Sequence, residues 1–374
     1  MVPMEQTTKN SILRLAPGRL GLLCVSAAVI AAHLLTRANH AFNRALSERF
    51  VRPAHRLLGR LSSLVPFSVA ELLIGLAAAG LLVYIIYSAV CLIRKPERGR
   101  RLCLLVLTLA SFVLAVYALF CLLWGVFYYG DDFASRSGLG SEPVSIEDLE
   151  TVTAYFAGLC DRYADEVPRD ADGRCASDRE AILAKSPAVY AEAARRYPCL
   201  EGPALRAKGV FFSRLLSYTD FSGFFFPFTG EANVNTDFPP ALFAATVAHE
   251  LAHQRGVAKE QEANFCAVLA SLTYGDADYC YSAALLAYTH LGNALYSADR
   301  EAWRAVYDTL SDAVLCDLAA SRDYWAQFET PVQTVSNTVY EGFLQSYDQT
   351  LGLKSYGACV DLLVHYYLDE ARSA

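Results

Sequence analysis

The chain has 374 residues, 54% of them hydrophobic and 19% charged, with a mean hydropathy of +0.25. That is too apolar for a disordered or fibrous protein, and more apolar than an ordinary soluble domain, in which about 25% of residues are charged. The net charge of −7 hides two halves of opposite sign: residues 1–130 carry 14 basic and 4 acidic side chains, whereas residues 131–374 carry 18 and 35, an acidic balance that excludes nucleic acid as the partner of the second half.

Three apolar runs fill the first half, Leu20–Leu35, Val69–Ile93 and Leu102–Phe127. At 1.5 Å per residue the last two can cross about 30 Å of hydrocarbon. The first is shorter, and Lys9, Arg14 and Arg19 before it also suit a secretory signal. No convincing small-residue cleavage site follows it, so three spans are expected, and residues 1–130 read as a transmembrane region ahead of a separate domain at 131–374. Arg94–Arg101 holds five positive charges in eight residues between the second and third spans. The positive-inside rule puts that loop in the cytoplasm and the C-terminal domain outside the plasma membrane. Arg37, Arg44, Arg49, Arg52, Arg56 and Arg60 between the first two spans argue the other way, and the tighter cluster decides. Trp124, Tyr128 and Tyr129 stand where an interfacial aromatic belt would hold the end of the third span.

Cys24, Cys91, Cys103 and Cys121 fall in or beside the spans, where a thiol is a small apolar group. Cys160, Cys175 and Cys199, with Cys280, could pair as disulfides in an oxidising compartment. The chain contains no CxxC pair, which argues against a zinc ribbon.

After Asp131 the charge density rises, and the pattern predicts a mostly α domain with a small sheet. Ser145 opens a capping-box start for a helix toward Tyr163. A second helix is expected from Ser177 through Arg196, stopped by Pro198. Between Gly209 and Asn235 aromatic and β-branched residues broken by Gly and Pro predict short strands. From Pro240 onward the pattern is helical, with breaks around Gly256, Gly275, Pro331 and Gly352.

The residues that carry chemistry are His249-Glu-Leu-Ala-His253. Positions four apart share one helix face, so both imidazoles can reach a single Zn²⁺ while Glu250 stands beside the open coordination position. Pro240 suits the helix's first turn, and Gly256 can end it and let the chain reverse. The next helical stretch, Glu260-Gln-Glu-Ala-Asn264, then offers Glu260 or Glu262 as a third ligand. Glu260 is favoured, because Asn264 one turn later can orient a ligand histidine from outside the coordination sphere, whereas Glu262 points elsewhere and reads as a solvated charge. Tyr288, His290 and Tyr356 are candidate hydrogen-bond donors to a developing oxyanion. Glu231, Asn233 and Asn235, in the segment just before the active helix, fit either an exposed edge strand that pairs with an extended substrate or a plain turn and strand that supports the helix.

His249–His253 followed by Glu260, Ala263 and Asn264 resembles the Glu-zincin arrangement of metallopeptidases, although seven residues from His253 to Glu260 is a shorter gap than in thermolysin-like members. Trp124-Gly, Tyr128-Tyr129, Pro227–Asn235, the HELAHQRG block and Lys354-Ser-Tyr-Gly357 together resemble an uncharacterised family of bacterial membrane proteins known only as a domain of unknown function. The resemblance implies a membrane-anchored zincin with zinc as cofactor and supplies no substrate; the site chemistry makes peptide-bond hydrolysis the expected reaction, on a protein or, given the predicted extracytoplasmic face, a cell-wall peptide. Arg255, Lys259, Glu260 and Glu262 are too charged for the motif to lie inside a span, which excludes an intramembrane protease. The competing reading is a membrane-anchored binding or regulatory protein that keeps metal for stability. Glu250 speaks against it, because a purely structural site closes its fourth position and has no use for a neighbouring base.

Overall fold

A computed structural model of the chain describes residues 17–139, 144–347 and 357–374. The elements that position the site are helices α1 (Pro17–Thr36), α2 (Arg52–Ser62), α3 (Val69–Arg94), α4 (Arg98–Phe120), α5 (Phe133–Ser137) and α6 (Ile146–Ala164). Strands β1 (Lys208–Val210), β2 (Gly223–Phe226) and β3 (Glu231–Asn235) come next. Helices α7 (Phe243–Gln254), α8 (Glu260–Tyr274), α9 (Ala277–Ala298), α10 (Pro331–Ser346) and α11 (Gly357–Ala371) complete the set.

The chain divides into two compact units. The first holds the described residues up to Val51 together with Ala70–Gly130, and the second holds Arg52–Val69 with the described residues from Asp131 onward. The stretch between the first two apolar helices is therefore shared: its second half, with α2, packs as part of the C-terminal unit.

In the first unit α1, α3 and the helix from Arg98 to Tyr128 that begins as α4 are each long and apolar enough to cross a membrane. Polar side chains tie them together. Ser111 on α4 donates to the Arg19 carbonyl of α1 at 3.1 Å, and Tyr84 on α3 donates to Thr108 on α4 at 2.9 Å. Trp124, Tyr128 and Tyr129 are buried, with Trp124 Nε1 donating to the Tyr128 hydroxyl at 3.3 Å, so these rings pack inward instead of forming an exposed belt.

In the second unit α7, α8 and α9 form the core with α6 and α11 around them. The run Phe265–Ala270 of α8 is buried on every face, as an internal helix requires, with Phe265 and Leu269 among the largest fully enclosed side chains. Ser145 caps α6 by accepting from Asp148 N at 3.1 Å. The single helix expected from Ser177 to Arg196 is broken into Arg179–Lys185, a 3₁₀ turn at Ser186–Ala188 and Ala191–Arg196. Pro187, at the start of that turn, supplies no N–H to continue the α pattern. The break expected around Pro331 is present: the preceding helix ends at Ala326, and Pro331 opens α10 as its first residue. The expected break at Gly352 lies outside the described residues.

The sheet has the order β1-β3-β2, with β3 parallel to β1 and antiparallel to β2, and α7 packs across β2 and β3. The candidate edge strand, β3, is therefore the central one. All five of its residues are buried, and its polar side chains are used for folding. Glu231 accepts from Lys208 Nζ at 2.6 Å, Thr229 Oγ1 at 2.7 Å and Val69 N at 3.1 Å. Asn233 accepts from Ser68 Oγ at 2.6 Å, and Asn235 Nδ2 donates to Ser217 Oγ at 2.9 Å and the Phe221 carbonyl at 3.1 Å. Strand order depends on residues outside the segment, which is why the local pattern left both readings open; the central place of β3 decides for the supporting strand.

The eleven cysteines are free. Cys160 and Cys280 are buried, Cys175 lies 3.3 Å from Ser177 Oγ, and Cys199 is half-buried, so the pairing entertained for these four does not occur.

Candidate metal centre

Helix α7 presents two imidazoles from one face. The His249 and His253 rings meet edge to face with centroids 4.6 Å apart. The helix ends because Gly256 adopts a φ of +78°, a left-handed backbone that side chains resist. Its N–H donates to the His253 carbonyl at 2.8 Å, and Val257 N–H donates to the Ala252 carbonyl at 3.1 Å. The reversal brings the Val257 carbonyl to 2.7 Å from His253 Nδ1 and starts α8 with Glu260 over both rings. Glu260 Oε2 lies 3.2 Å from His249 Nε2 and 3.6 Å from His253 Nε2. One ligand atom from each of the three residues lies within 4.8 Å of the others, a group able to hold a metal ion.

The far sides of the imidazoles are also engaged. His249 Nδ1 is 2.8 Å from Asn264 Oδ1, and His253 Nδ1 faces a backbone carbonyl. Both partners are acceptors, so each Nδ1 carries a proton, and Nε2 is the ring atom turned toward Glu260. Glu260 Oε1 accepts from the Tyr340 hydroxyl on α10 at 2.7 Å. Tyr340 escaped sequence reasoning because it lies 80 residues from Glu260 and belongs to no local motif.

The remaining residues of the block fasten the helix end. Gln254 Nε2 donates to the Gly230 carbonyl at 2.9 Å. Arg255 donates to the Leu251 carbonyl at 3.0 Å and stacks over Tyr190 at 4.3 Å, while burial lowers its pKa to about 10.

Charges at the centre are strongly coupled. Burial works against ionisation of Glu260, but the charge of His253 and the hydrogen bonds from both imidazoles outweigh it and hold this carboxylate well below its usual range. Burial likewise disfavours charged His253, yet Glu260 and Glu250 lift it to about 9. Glu250 is pushed up to about 7, chiefly by burial, with the histidines opposing and Glu260 adding to the rise. Glu250 Oε2 is buried with no hydrogen-bond partner among the described residues. Gly223 on β2 makes room for this side chain: a Cβ there would lie 2.7 Å from Glu250 Oε1.

The other nominated residues separate clearly. His290 on α9 is buried, and burial together with the charge on His249 lowers its pKa to about 4, which keeps the ring neutral. Tyr288 lies two residues earlier and so about 200° around the same helix. Its ring packs beside Gly292 and senses Cys160 and Tyr307, so the structure does not bring it to the three metal-capable residues. Tyr356 lies outside the described residues. Glu262 is not a solvated charge; it is buried and accepts from Phe133 N at 2.9 Å and Ala134 N at 3.0 Å, anchoring the start of α5.

The donor set suits a borderline cation such as Zn²⁺: two imidazoles whose engaged Nδ1 atoms leave each Nε2 to coordinate, one carboxylate, and outer partners on all three. No curated protein and no solved structure matches the chain. The family model described as "Protein of unknown function (DUF3810)" matches residues 47–364, and the chain belongs to that family.

Proposed function

We propose that the chain is a membrane-anchored, zinc-dependent metallopeptidase with a zincin-like domain, in which His249, His253 and Glu260 hold the ion and Glu250 is the general base. The observation that carries this reading is the buried, unclaimed Oε2 of Glu250 beside three convergent ligands. Burying a polar atom without a partner costs stability, and a structural metal site has no use for it. The tight cluster of cations between α3 and α4 supports a cytoplasmic position for that loop and an extracytoplasmic domain in a bacterial plasma membrane.

A bound zinc ion would supply a Lewis acid that polarises the scissile carbonyl and makes a water acidic enough to lose its proton near neutral pH. Glu250 takes that proton and returns it to the amine nitrogen as the C–N bond breaks. His290, neutral and near His249, is the candidate donor to the developing oxyanion. The edge-strand role falls instead to β2, which among the described residues pairs on one side only and carries Gly223 against Glu250. A peptide main chain hydrogen-bonded along β2 would present its carbonyl to the base irrespective of side-chain identity.

The direct test is to incubate the purified full chain with a peptide library, with and without chelator. Cleavage that stops on chelation and returns with zinc is expected; a zinc-loaded chain that cleaves nothing argues for the binding or regulatory alternative.

The two glutamates of α8 should separate cleanly. Glu260→Ala is expected to weaken zinc retention more than Tyr340→Phe, which removes an outer partner and should cost about 10–100-fold in affinity. Glu262→Ala should leave zinc affinity unchanged and lower stability by about 1–3 kcal/mol, because two backbone N–H groups of α5 lose their acceptor. Competition with a chromogenic chelator and denaturant unfolding read these effects, and the reverse order would exchange the two roles.

A further inference from the structure

Helix α2 packs on the C-terminal unit with its small and polar side. His55, Gly59 and Ser62 are buried, whereas Leu57, Leu61, Leu64 and Phe67 on the helix and the turn after it are 60%, 55%, 80% and 53% exposed. A helix docked on a domain ordinarily buries its leucines against that domain. Here they face away from it, with Arg56 and Arg60 on the same helix.

The segment is held rigidly in this attitude. Ser62 Oγ donates to the Thr229 carbonyl at 3.2 Å, and Lys208 Nζ donates to the carbonyls of Ser62 and Phe67 at 2.7 and 2.9 Å. Ser68 and Val69 then bond to Asn233 and Glu231 of β3. Val69 is also the first residue of α3, a helix long and apolar enough to cross a membrane. The exposed apolar residues therefore end within a few positions of where the chain would enter the bilayer.

We propose that α2 and the turn to Phe67 form a lipid-binding surface that lies in the interface of an anionic bilayer. Leu57, Leu61, Leu64 and Phe67 insert at the boundary between headgroups and acyl chains, and Arg56 and Arg60 contact lipid phosphates. Two observations select lipid as the occupant: the direct continuity of this surface with α3, and the pairing of an apolar face with basic flanks on one helix. The assignment also gives a headgroup role to Arg56 and Arg60, two of the six arginines between the first two spans that run against the positive-inside pattern; Arg52 instead donates to the Cys199 carbonyl at 3.4 Å. It rests on the membrane-crossing reading of the apolar helices and on nothing about the metal.

The test uses the full chain in lipid nanodiscs of phosphatidylcholine, with or without about one-third phosphatidylglycerol. A photoreactive benzoylphenylalanine replaces Leu61, Leu64 or, as a control, the exposed Glu301. Recovery of the chain in discs tests the spans separately. Lipid adducts at positions 61 and 64 should exceed those at 301 several-fold and rise further with phosphatidylglycerol, and R56Q/R60Q should abolish that further rise. Adduct yields equal to the control, adducts to a second copy of the chain, or a phosphatidylglycerol effect that survives R56Q/R60Q would overturn the proposal.

Discussion

Glu250→Gln is expected to keep zinc binding and to lower peptide hydrolysis by about 10²–10⁴-fold, the usual contribution of a positioned general base. The substitution preserves shape in a crowded place, since Glu250 is buried and its carboxylate lies against Gly223. It removes only the capacity to accept and return a proton. The loss should therefore appear in kcat with little change in KM, because a substrate bound along β2 as proposed would not need the charge. Gly223→Val should reproduce much of the defect by another route, as a side chain at that position displaces the Glu250 carboxylate. Full activity in Glu250→Gln would assign the base to another residue.

Glu231→Ala is expected to destabilise the C-terminal unit by about 3–5 kcal/mol, the cost of removing one partner from a buried ion pair. Lys208 and Glu231 are both almost wholly enclosed and 2.6 Å apart. Truncation leaves the Lys208 ammonium buried with only carbonyl partners, Val69 N–H loses its acceptor, and the Thr229 hydroxyl keeps only the Phe226 carbonyl at 3.5 Å. A drop in Tm on the order of 10 °C follows for a unit of this size. Limited proteolysis should also open the Ser62–Val69 segment, because Lys208 and Glu231 hold it to the sheet. A stable variant that instead raises KM would return Glu231 to the substrate-binding role considered for β3.

What was legible in the sequence is what depends on neighbours in the chain. Two histidines four apart must share a face, Gly256 allows the reversal, and Glu260 with Asn264 one turn later meets both rings; each step is local geometry. The three apolar helices were legible for the same reason, since length and composition alone define them. Properties set by distant pairing were not. The central position of β3 is decided by β1 and β2 together, and the enclosure of Glu231 is decided by Lys208 and by Ser68–Val69, more than 100 residues away. Tyr340 reaches Glu260 across 80 residues. The Tyr288 and His290 nominations contained a conflict that helix periodicity could have exposed, because residues two apart cannot face one point from the same helix.

The most direct measurement is the zinc content of the folded full chain, alone and with His253→Ala. About one zinc per chain is expected, removable by a strong chelator and regained on titration, with binding in His253→Ala weakened far beyond any change in its fold. A folded chain that takes up no zinc, or whose zinc is indifferent to His253, would contradict the metal centre and with it the assignment as a hydrolase.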